Sequence, residues 1–154
     1  MPDRRNAALD DVSKAIIERL QRDGRRSYAD IGREVGLSEA AVRQRVQRLT
    51  ESGVMQIVAV TDPLQLGFRR QALVGIRVHG DTVAVAEELA ALPQIDYVVL
   101  TAGSFDVIAE IVCEDDDALI DLLNTRVRTI EGVAGTETFL YMRLVEQRYD
   151  WGTR

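Results

Sequence analysis

Sulfur, imidazole and ammonium groups are scarce in this chain. Its 154 residues contain one cysteine, one histidine, one lysine, three prolines and one tryptophan, and aromatic residues make up 5%. A single cysteine, Cys113, excludes an internal disulfide and a zinc site built on paired thiolates. Standing at the end of the apolar stretch DVIAEIVC, it reads as a small buried hydrophobe rather than a nucleophile. The lone His79, near the end of a predicted strand, reads as a surface or turn residue. There is no Ser/His/Asp set and no phosphate-cradling glycine loop, so no catalytic residue is assigned. The chain is not expected to be an enzyme or to carry a cofactor. No apolar run reaches the roughly 18 residues of a membrane span. The opening MPDRRNAALDD lacks the apolar core of a signal peptide. The expectation is a cytoplasmic protein with no membrane attachment.

The apolar content, 46%, is ordinary for a globular protein, and the length allows one domain or two small ones. The net charge of −6 is unevenly spread. Residues 1–55 carry 11 Lys or Arg against 9 Asp or Glu, a net +2, whereas residues 56–154 carry 8 against 16, a net −8. A mildly basic head on an acidic body can bind phosphate through its local potential, with modest affinity per subunit and strong salt dependence. Several heads acting together would offset that weakness.

The stretch SEAAVRQRVQRLTESGVM, Ser38 to Met55, organises the chain. At about 100° per residue, Val42, Val46 and Leu49 fall on one narrow apolar face. Ala40, Arg43, Gln44 and Gln47 fall opposite, with Arg48 at the edge. Ser38 is a good N-cap, Leu37 and Val42 have the spacing of a hydrophobic staple, and Gly53 stands where a helix can stop in the left-handed conformation. Arg and Gln make bidentate contacts to guanine and adenine edges, and small Ala40 and Ala41 permit close approach to a groove. A polar helix face is more commonly just solvated, so the preceding residues matter. Ser27 to Val35 reads as a short helix with Tyr28, Ile31 and Val35 on one face. Ser27 with Asp30 resembles a capping box in which Asp replaces Glu. Gly36 supplies the turn. Two short helices joined by a glycine-containing turn form a helix-turn-helix, whose second helix enters the major groove. A third helix lies upstream, capped by Asp10 or Asp11, with Val12, Ile16, Ile17 and Leu20 as its core residues and Gly24 at its end.

Met55 to Thr61 reads as a β-branched strand, a candidate wing. Asp62-Pro63 breaks it, which sets a domain boundary, with residues 1–61 as the DNA-binding domain and 62–154 as a second domain. The second domain reads as strand (Ala72–Val78), helix (Asp81–Leu92), strand (Ile95–Ala102), strand (Asp106–Cys113), helix (Asp115–Arg128) and a long strand (Val133–Val145). The order β-α-β-β-α-β is the ferredoxin-like arrangement, so the fold class is α+β, a winged helix-turn-helix followed by a ferredoxin-like domain. Both helices should lie on one sheet face. The strands are nonetheless apolar on both sides, as in Val98-Val99-Leu100 and Val107-Ile108, which an antiparallel sheet with one wet face would not be. A second subunit is expected to cover the other face.

Two constellations remain. Glu114 to Asp117 suggests a cation site, but such a run more commonly solvates a strand end and favours a helix N-terminus, and a hard cation needs more converging oxygens. No metal is assigned. Gly103-Ser104-Phe105-Asp106 is an ordinary hairpin turn on turn chemistry alone. Alternatively, Gly103 opens room and backbone amides for a small ligand, and Asp106 accepts from a ligand ammonium.

At this point the residues resemble a known family, the Lrp/AsnC, or feast/famine, transcription regulators of bacteria and archaea. The resemblance runs from Leu9 to about Tyr149 through LDDVSKAIIERLQRDGR, ADIGREVGLS, VRQRVQRLTESGVM and GSFD. The last is similar to the family's Gly-x-Tyr/Phe-Asp turn. It implies a sequence-specific regulator of amino-acid metabolism genes that binds double-stranded DNA. It also implies a homodimer through the sheets, assembling into higher oligomers such as octamers, with an amino-acid effector bound between dimers near the Gly-x-x-Asp turn. Within the stretch from Ser38 to Met55, the residues expected at DNA are Ser38, Ala40, Arg43, Gln44 and Gln47, with Arg48 and, nearer the core edge, Arg45 on phosphates. The effector-binding residues expected are those of the turn, Gly103, Ser104, Phe105 and Asp106, with Thr101, Thr136 and Thr138 added as supporting hydroxyls. The outer residues of the recognition helix vary within the family, so the target sequence does not carry over. Two alternatives stay open: an architectural DNA-binding protein without an amino-acid effector, and a ferredoxin-like enzyme-regulatory subunit.

Overall fold

Asp10 begins the ordered architecture by doing what a helix N-terminus requires. Its carboxylate accepts from the Ser13 amide at 2.7 Å and starts α1, Asp11–Arg22. The computed structural model describes residues 9–154. The first eight residues, part of the stretch examined for a leader, lie outside the described residues. Ser27 caps α2, Tyr28–Val35, by accepting from the Asp30 amide, and Ser38 caps α3, Glu39–Glu51, by accepting from the Ala41 amide at 3.2 Å. The expected capping box is altered. Asp30 is one methylene shorter than Glu, and its carboxylate accepts from the Ser27 hydroxyl at 2.6 Å. Gly36, at φ 73°, makes the left-handed turn between α2 and α3. At the far end of α3, Val54 N–H returns to Leu49 O and Gly53 N–H to Thr50 O, each at 3.0 Å, which satisfies the last carbonyls around Gly53 at φ 72°.

The three helices share one apolar core. Ile16, Leu20, Ile31, Val42 and Val46 are buried in it, with Val12, Tyr28, Val35, Leu37 and Met55 around the rim. A helix as short as α3 is marginal in water. Burying each branched side chain contributes about 1.5–3 kcal/mol, so packing and not propensity holds α3.

The expected wing is different. Met55–Thr61 forms no strand, and Ile57, Val58 and Val60 are exposed. A strand is defined by its partner, and the described residues offer this segment none. A short 3-10 turn, Pro63–Leu66, follows, capped by Asp62.

The second unit is a four-stranded antiparallel sheet with the spatial order β2-β3-β1-β4. The strands are β1 (Arg70–Val78), β2 (Ile95–Leu100), β3 (Val107–Cys113) and β4 (Val133–Leu140). Helix α4, Thr82–Ala90, joins β1 to β2, and α5, Asp116–Asp121, joins β3 to β4. This is the ferredoxin-like topology. Ala72, Val74, Ile76, Val107, Ala109 and Ile111 face the helices and meet Val85, Leu89, Leu122 and Val127. The last strand ends at Leu140, not Val145. Leu140 pairs with Ala72 and the Tyr141 amide with Gln71 O, and β1 begins one residue further back, so β4 runs out of partner.

Helix α5 does not continue as a regular helix. It widens into a π turn over Leu122–Val127, where the Arg128 amide reaches back five residues to Leu123 O at 3.0 Å. Regular geometry from Leu119 would turn Arg126 to the centre of the inward face. The wider turn absorbs one extra residue, so Val127 is buried and Arg126 stays exposed.

By its contacts the chain falls into two compact units. Among the described residues, one comprises 9–60 together with Glu146–Arg154, and the other is Thr61–Val145. The last nine residues, expected in the second domain, therefore belong to the helical unit, where the Thr153 hydroxyl donates to Glu18 at 2.6 Å. No helix among the described residues is long and apolar enough to cross a membrane.

Gly32 tests the packing of the helix-turn-helix. A Cβ there would stand 2.5 Å from the Leu37 carbonyl oxygen. Gly→Ala inside a helix ordinarily stabilises by about 0.5–1 kcal/mol, but overpacking costs about 1–3 kcal/mol, and the steric cost should win because the neighbour is backbone. Gly32→Ala is expected to lower the urea midpoint of the helical unit, followed by far-ultraviolet circular dichroism. A raised midpoint would show that the turn can yield.

Candidate functional site

Val42, Val46 and Leu49 root α3 in the head, so the opposite side of the helix is left to solvent. Glu39, Ala40, Arg43, Gln44, Gln47 and Arg48 are all exposed there. Their surroundings differ. The Arg43 guanidinium donates to Glu39 at 2.7 Å and lies over the Tyr28 ring, 5.3 Å from its centroid. Gln47 donates to Glu51 at 2.8 Å. Gln44 and Arg48 have no side-chain partner among the described residues. Arg45 faces inward. It donates to Asp10 at 2.6 Å and to the Ser13 hydroxyl at 3.0 Å, which ties α3 to the N-terminus of α1. Ser38 spends its hydroxyl on the cap. The structure thus brings Ala40, Arg43, Gln44, Gln47 and Arg48 to one face and turns Arg45 toward the head's own framework. Tyr28 and Glu39 were missed in the sequence reading. Glu39, four residues before Arg43, could have been found from its i,i+4 spacing. Tyr28 could not, because its contact crosses between helices.

The second candidate lies at the β2–β3 hairpin. The Thr101 amide donates to Asp106 O at 2.9 Å and its hydroxyl to Phe105 O at 2.7 Å, closing the loop. Gly103 takes φ 148°, a conformation side chains rarely adopt, and a Cβ there would meet nothing within 4 Å. The glycine is thus required by its backbone and not by crowding. The Asp106 amide donates to Ile76 O at 2.9 Å, and its carboxylate Oδ2 accepts from the Val78 amide at 2.8 Å. The β1–β3 ladder ends at the pair Ile76–Val107, so this carboxylate satisfies the next amide of β1 on that side. Oδ1 has no partner among the described residues.

Phe105 anchors the loop to the sheet. Its ring occupies the space a Cβ at Gly75 would fill, 2.6 Å away. Phe139 meets it edge-on with centroids 6.2 Å apart, and the Arg77 guanidinium lies 5.6 Å from its centroid. Gly75 alternates with the buried Val74 and Ile76 and faces away from the helices. That uncovered face carries Leu73, Val99, Ile108 and Val112, half-buried, and Tyr97 and Phe139, which are 53% and 45% exposed. Thr136 and Thr138 are on the other side, paired with Ile76 and Val74. Thr136 accepts from Arg128 Nε at 3.0 Å, and Thr138 is exposed. Ser104 is exposed at the loop tip. Gly103, Ser104, Phe105, Asp106 and Thr101 therefore share one loop, while Thr136 and Thr138 stand on the helix-facing side of the edge strand.

The acidic run acts structurally. Asp115 caps α5 by accepting from the Ala118 amide at 2.9 Å, and Asp116 pairs with Arg70, with one contact at 2.7 Å. Cys113 is buried, which pushes its thiol pKa up.

Residues 9–50 match the AsnC-type helix-turn-helix domain, and residues 71–151 match the Lrp/AsnC ligand binding domain. The chain is 37% identical over 138 residues to the HTH-type transcriptional regulator FL11 of Pyrococcus furiosus, covering 88% of this chain and 91% of that one. Among solved structures it is similar to the leucine response regulatory protein LrpA of Mycobacterium tuberculosis. The TM-score is 0.81 at 27% identity, covering 90% of this chain and 96% of that one. A transcriptional regulator of Neisseria meningitidis in complex with L-Met shares the fold, with a TM-score of 0.76 at 18% identity, covering 93% and 96% of the two chains.

The Asp10–Arg45 link has a pH signature. Hydrogen bonds from Ser13 first, then the Arg45 guanidinium, lower the Asp10 pKa from 3.8 to about 2. A carboxyl depressed in the folded state contributes stability that is present above its unfolded pKa and lost as pH falls through the folded one. The contribution should therefore disappear between about pH 4 and pH 2. Carboxyl titration by nuclear magnetic resonance is expected to find Asp10 near the lower value in the wild type and clearly higher in Arg45→Met. An Asp10 that titrates alike in both proteins would remove Arg45 as a cause.

Proposed function

Because the chain belongs to the Lrp/AsnC family of transcriptional regulators, we propose that it is a sequence-specific regulator of amino-acid metabolism genes whose DNA binding responds to an α-amino acid. It acts in the cytoplasm on double-stranded DNA. The observation that carries the DNA reading is the single exposed face of α3, where Arg43, Gln44, Gln47 and Arg48 stand opposite three buried residues. Arg43 and Gln44 reach base edges in the major groove, with Gln47 behind them, and Arg48 holds phosphate. Arg45 supports from within by fixing α3 against α1.

The effector reading rests on the loop Gly103 to Asp106 and on the neighbour of Neisseria meningitidis, solved with L-Met. An amino acid brings one ammonium and one carboxylate, and both lose water on burial, so each needs a specific partner. Asp106 accepts the ammonium through the oxygen it does not give to Val78. The amides near Gly103 and Ser104 donate to the carboxylate. Thr101 is the supporting hydroxyl of the loop, Phe105 fixes the loop to the sheet, and Thr136 and Thr138, on the sheet's other side, take no part in this site. The uncovered sheet face is the surface through which two chains dimerise. Leu73, Val99, Ile108, Val112 and Phe139 supply apolar area that one chain leaves in water. Dimers assemble further, with the effector held between them.

Gln44→Ala is expected to cost about 1–3 kcal/mol at the best site and to relax base preference, whereas Arg48→Ala should weaken all sequences alike and reduce the salt slope by about one. Equal losses on selected and random duplexes for Gln44→Ala would favour an architectural role with little sequence reading. For the effector, calorimetric titration with the twenty amino acids should find one that binds. Asp106→Asn keeps the acceptor for Val78 and removes the charge, so binding should weaken by about 1.5–3 kcal/mol, the worth of a hydrogen bond to a charged group, with the fold intact. Unchanged affinity in Asp106→Asn would put the amino acid elsewhere, and no binding at all by the wild type would end the effector reading.

A further inference from the structure

Arg43 is held at two points. Its guanidinium donates to Glu39 at 2.7 Å from one turn earlier on α3, and its plane lies over the Tyr28 ring on α2 at 5.3 Å. Both Glu39 and Arg43 remain open to solvent, with side chains 52% and 63% exposed. A guanidinium has five donors in a planar fork, and the single contact to Glu39 leaves most of them free. The side chain is therefore aimed toward the N-terminal end of α3, the end that meets base edges in a helix-turn-helix, with a carboxylate fixed beside it.

That carboxylate changes what Arg43 can bind. A phosphate entering the fork would come close to a like charge. A guanine edge brings acceptors for the free donors and no net charge, and a neighbouring cytosine offers an amino donor that a carboxylate accepts. Specificity is often built from such repulsion against the wrong ligand as much as from attraction to the right one. We propose that Glu39 is a specificity-determining residue that denies Arg43 to backbone phosphate and reserves it for a guanine edge, with Tyr28 as the positioning residue that holds the fork in place. This rests on the reading of α3 as the helix that enters the groove.

The test uses the full chain and two probes, a random-sequence duplex pool and the duplex that the wild type enriches from it, titrated across a salt series. Glu39→Gln keeps the length of the side chain and removes its charge. It should bind the random pool about 3- to 20-fold more tightly, the effect of removing one like charge near a phosphate. Its salt slope should steepen by about one as Arg43 takes up a phosphate, and its ratio of selected to random affinity should fall. Tyr28→Leu should lower affinity for the selected duplex without changing the random pool. Tyr28→Phe should restore the wild-type ratio, because the ring face and not the hydroxyl carries the contact. Thermal midpoints measured for each variant separate these effects from folding. If Arg48→Ala reduces the salt slope while Glu39→Gln alters neither random affinity nor slope, the role of Glu39 is overturned and the reading of α3 stands. If Arg48→Ala also leaves binding unchanged, α3 is not at the DNA and both fall.

Discussion

Three side chains, Val42, Val46 and Leu49, decide what the head can present. They recur on one face of α3 and are all buried, Val42 and Val46 against Ile16, Leu20 and Ile31, which fixes the rotation of the helix about its own axis. A turn of about 100° would bring Arg43 and Gln47 into an apolar core and expose a valine in their place. The cost of desolvating a guanidinium without a partner exceeds anything the exposed face could return. The caps follow from the same constraint. Ser38 and Gly53 set where α3 starts and stops, and Gly32 lets α2 come close enough to the turn for the three buried residues to find their core.

The sheet unit depends on a comparable fit between a missing side chain and a large one. Gly75 leaves a hollow in β1 that the Phe105 ring fills. The hairpin loop is thereby anchored to the middle of the sheet as well as to its own strands. Asp106 makes a second attachment through the Val78 amide, just beyond the last β1–β3 pair. Loop and central strand are consequently linked, and a molecule that pulled on the free oxygen of Asp106 would pull on the end of β1.

Much of this was legible in the sequence. Helices whose apolar residues recur with the helical period, and whose first turns have a Ser or Asp to cap them, were readable because both signals are local. The order of elements in the sheet unit was readable for the same reason. What depended on a distant partner was not. Met55–Thr61 has the composition of a strand and no ladder, and β4 ends where β1 begins. The π turn in α5 answers a conflict between Arg126 and Val127 that only the packed core reveals. Arg45, nearer the core edge than the other cations of α3, reads as a phosphate contact, and its attachment to Asp10 spans 35 positions of sequence. In the GSFD loop the turn chemistry was visible, but the seat for Phe105 lay thirty residues away in a strand. Thr136 and Thr138 were grouped with the loop by chemistry, and strand register sets them on the sheet's other side.

The helical unit is discontinuous. Its chain leaves at Val60 and resumes at Glu146. In topological terms the sheet unit is an insertion, with both of its ends returning to the same host. A single recombination point near residue 60 would separate the helices from their own last nine residues, and a fragment ending there would lack Thr153, the partner of Glu18. Moving the sheet unit as one piece takes two cuts, one on each side of the insert. By its contacts the piece enclosed between those two cuts is Thr61–Val145, held within a host that keeps both its beginning and its end.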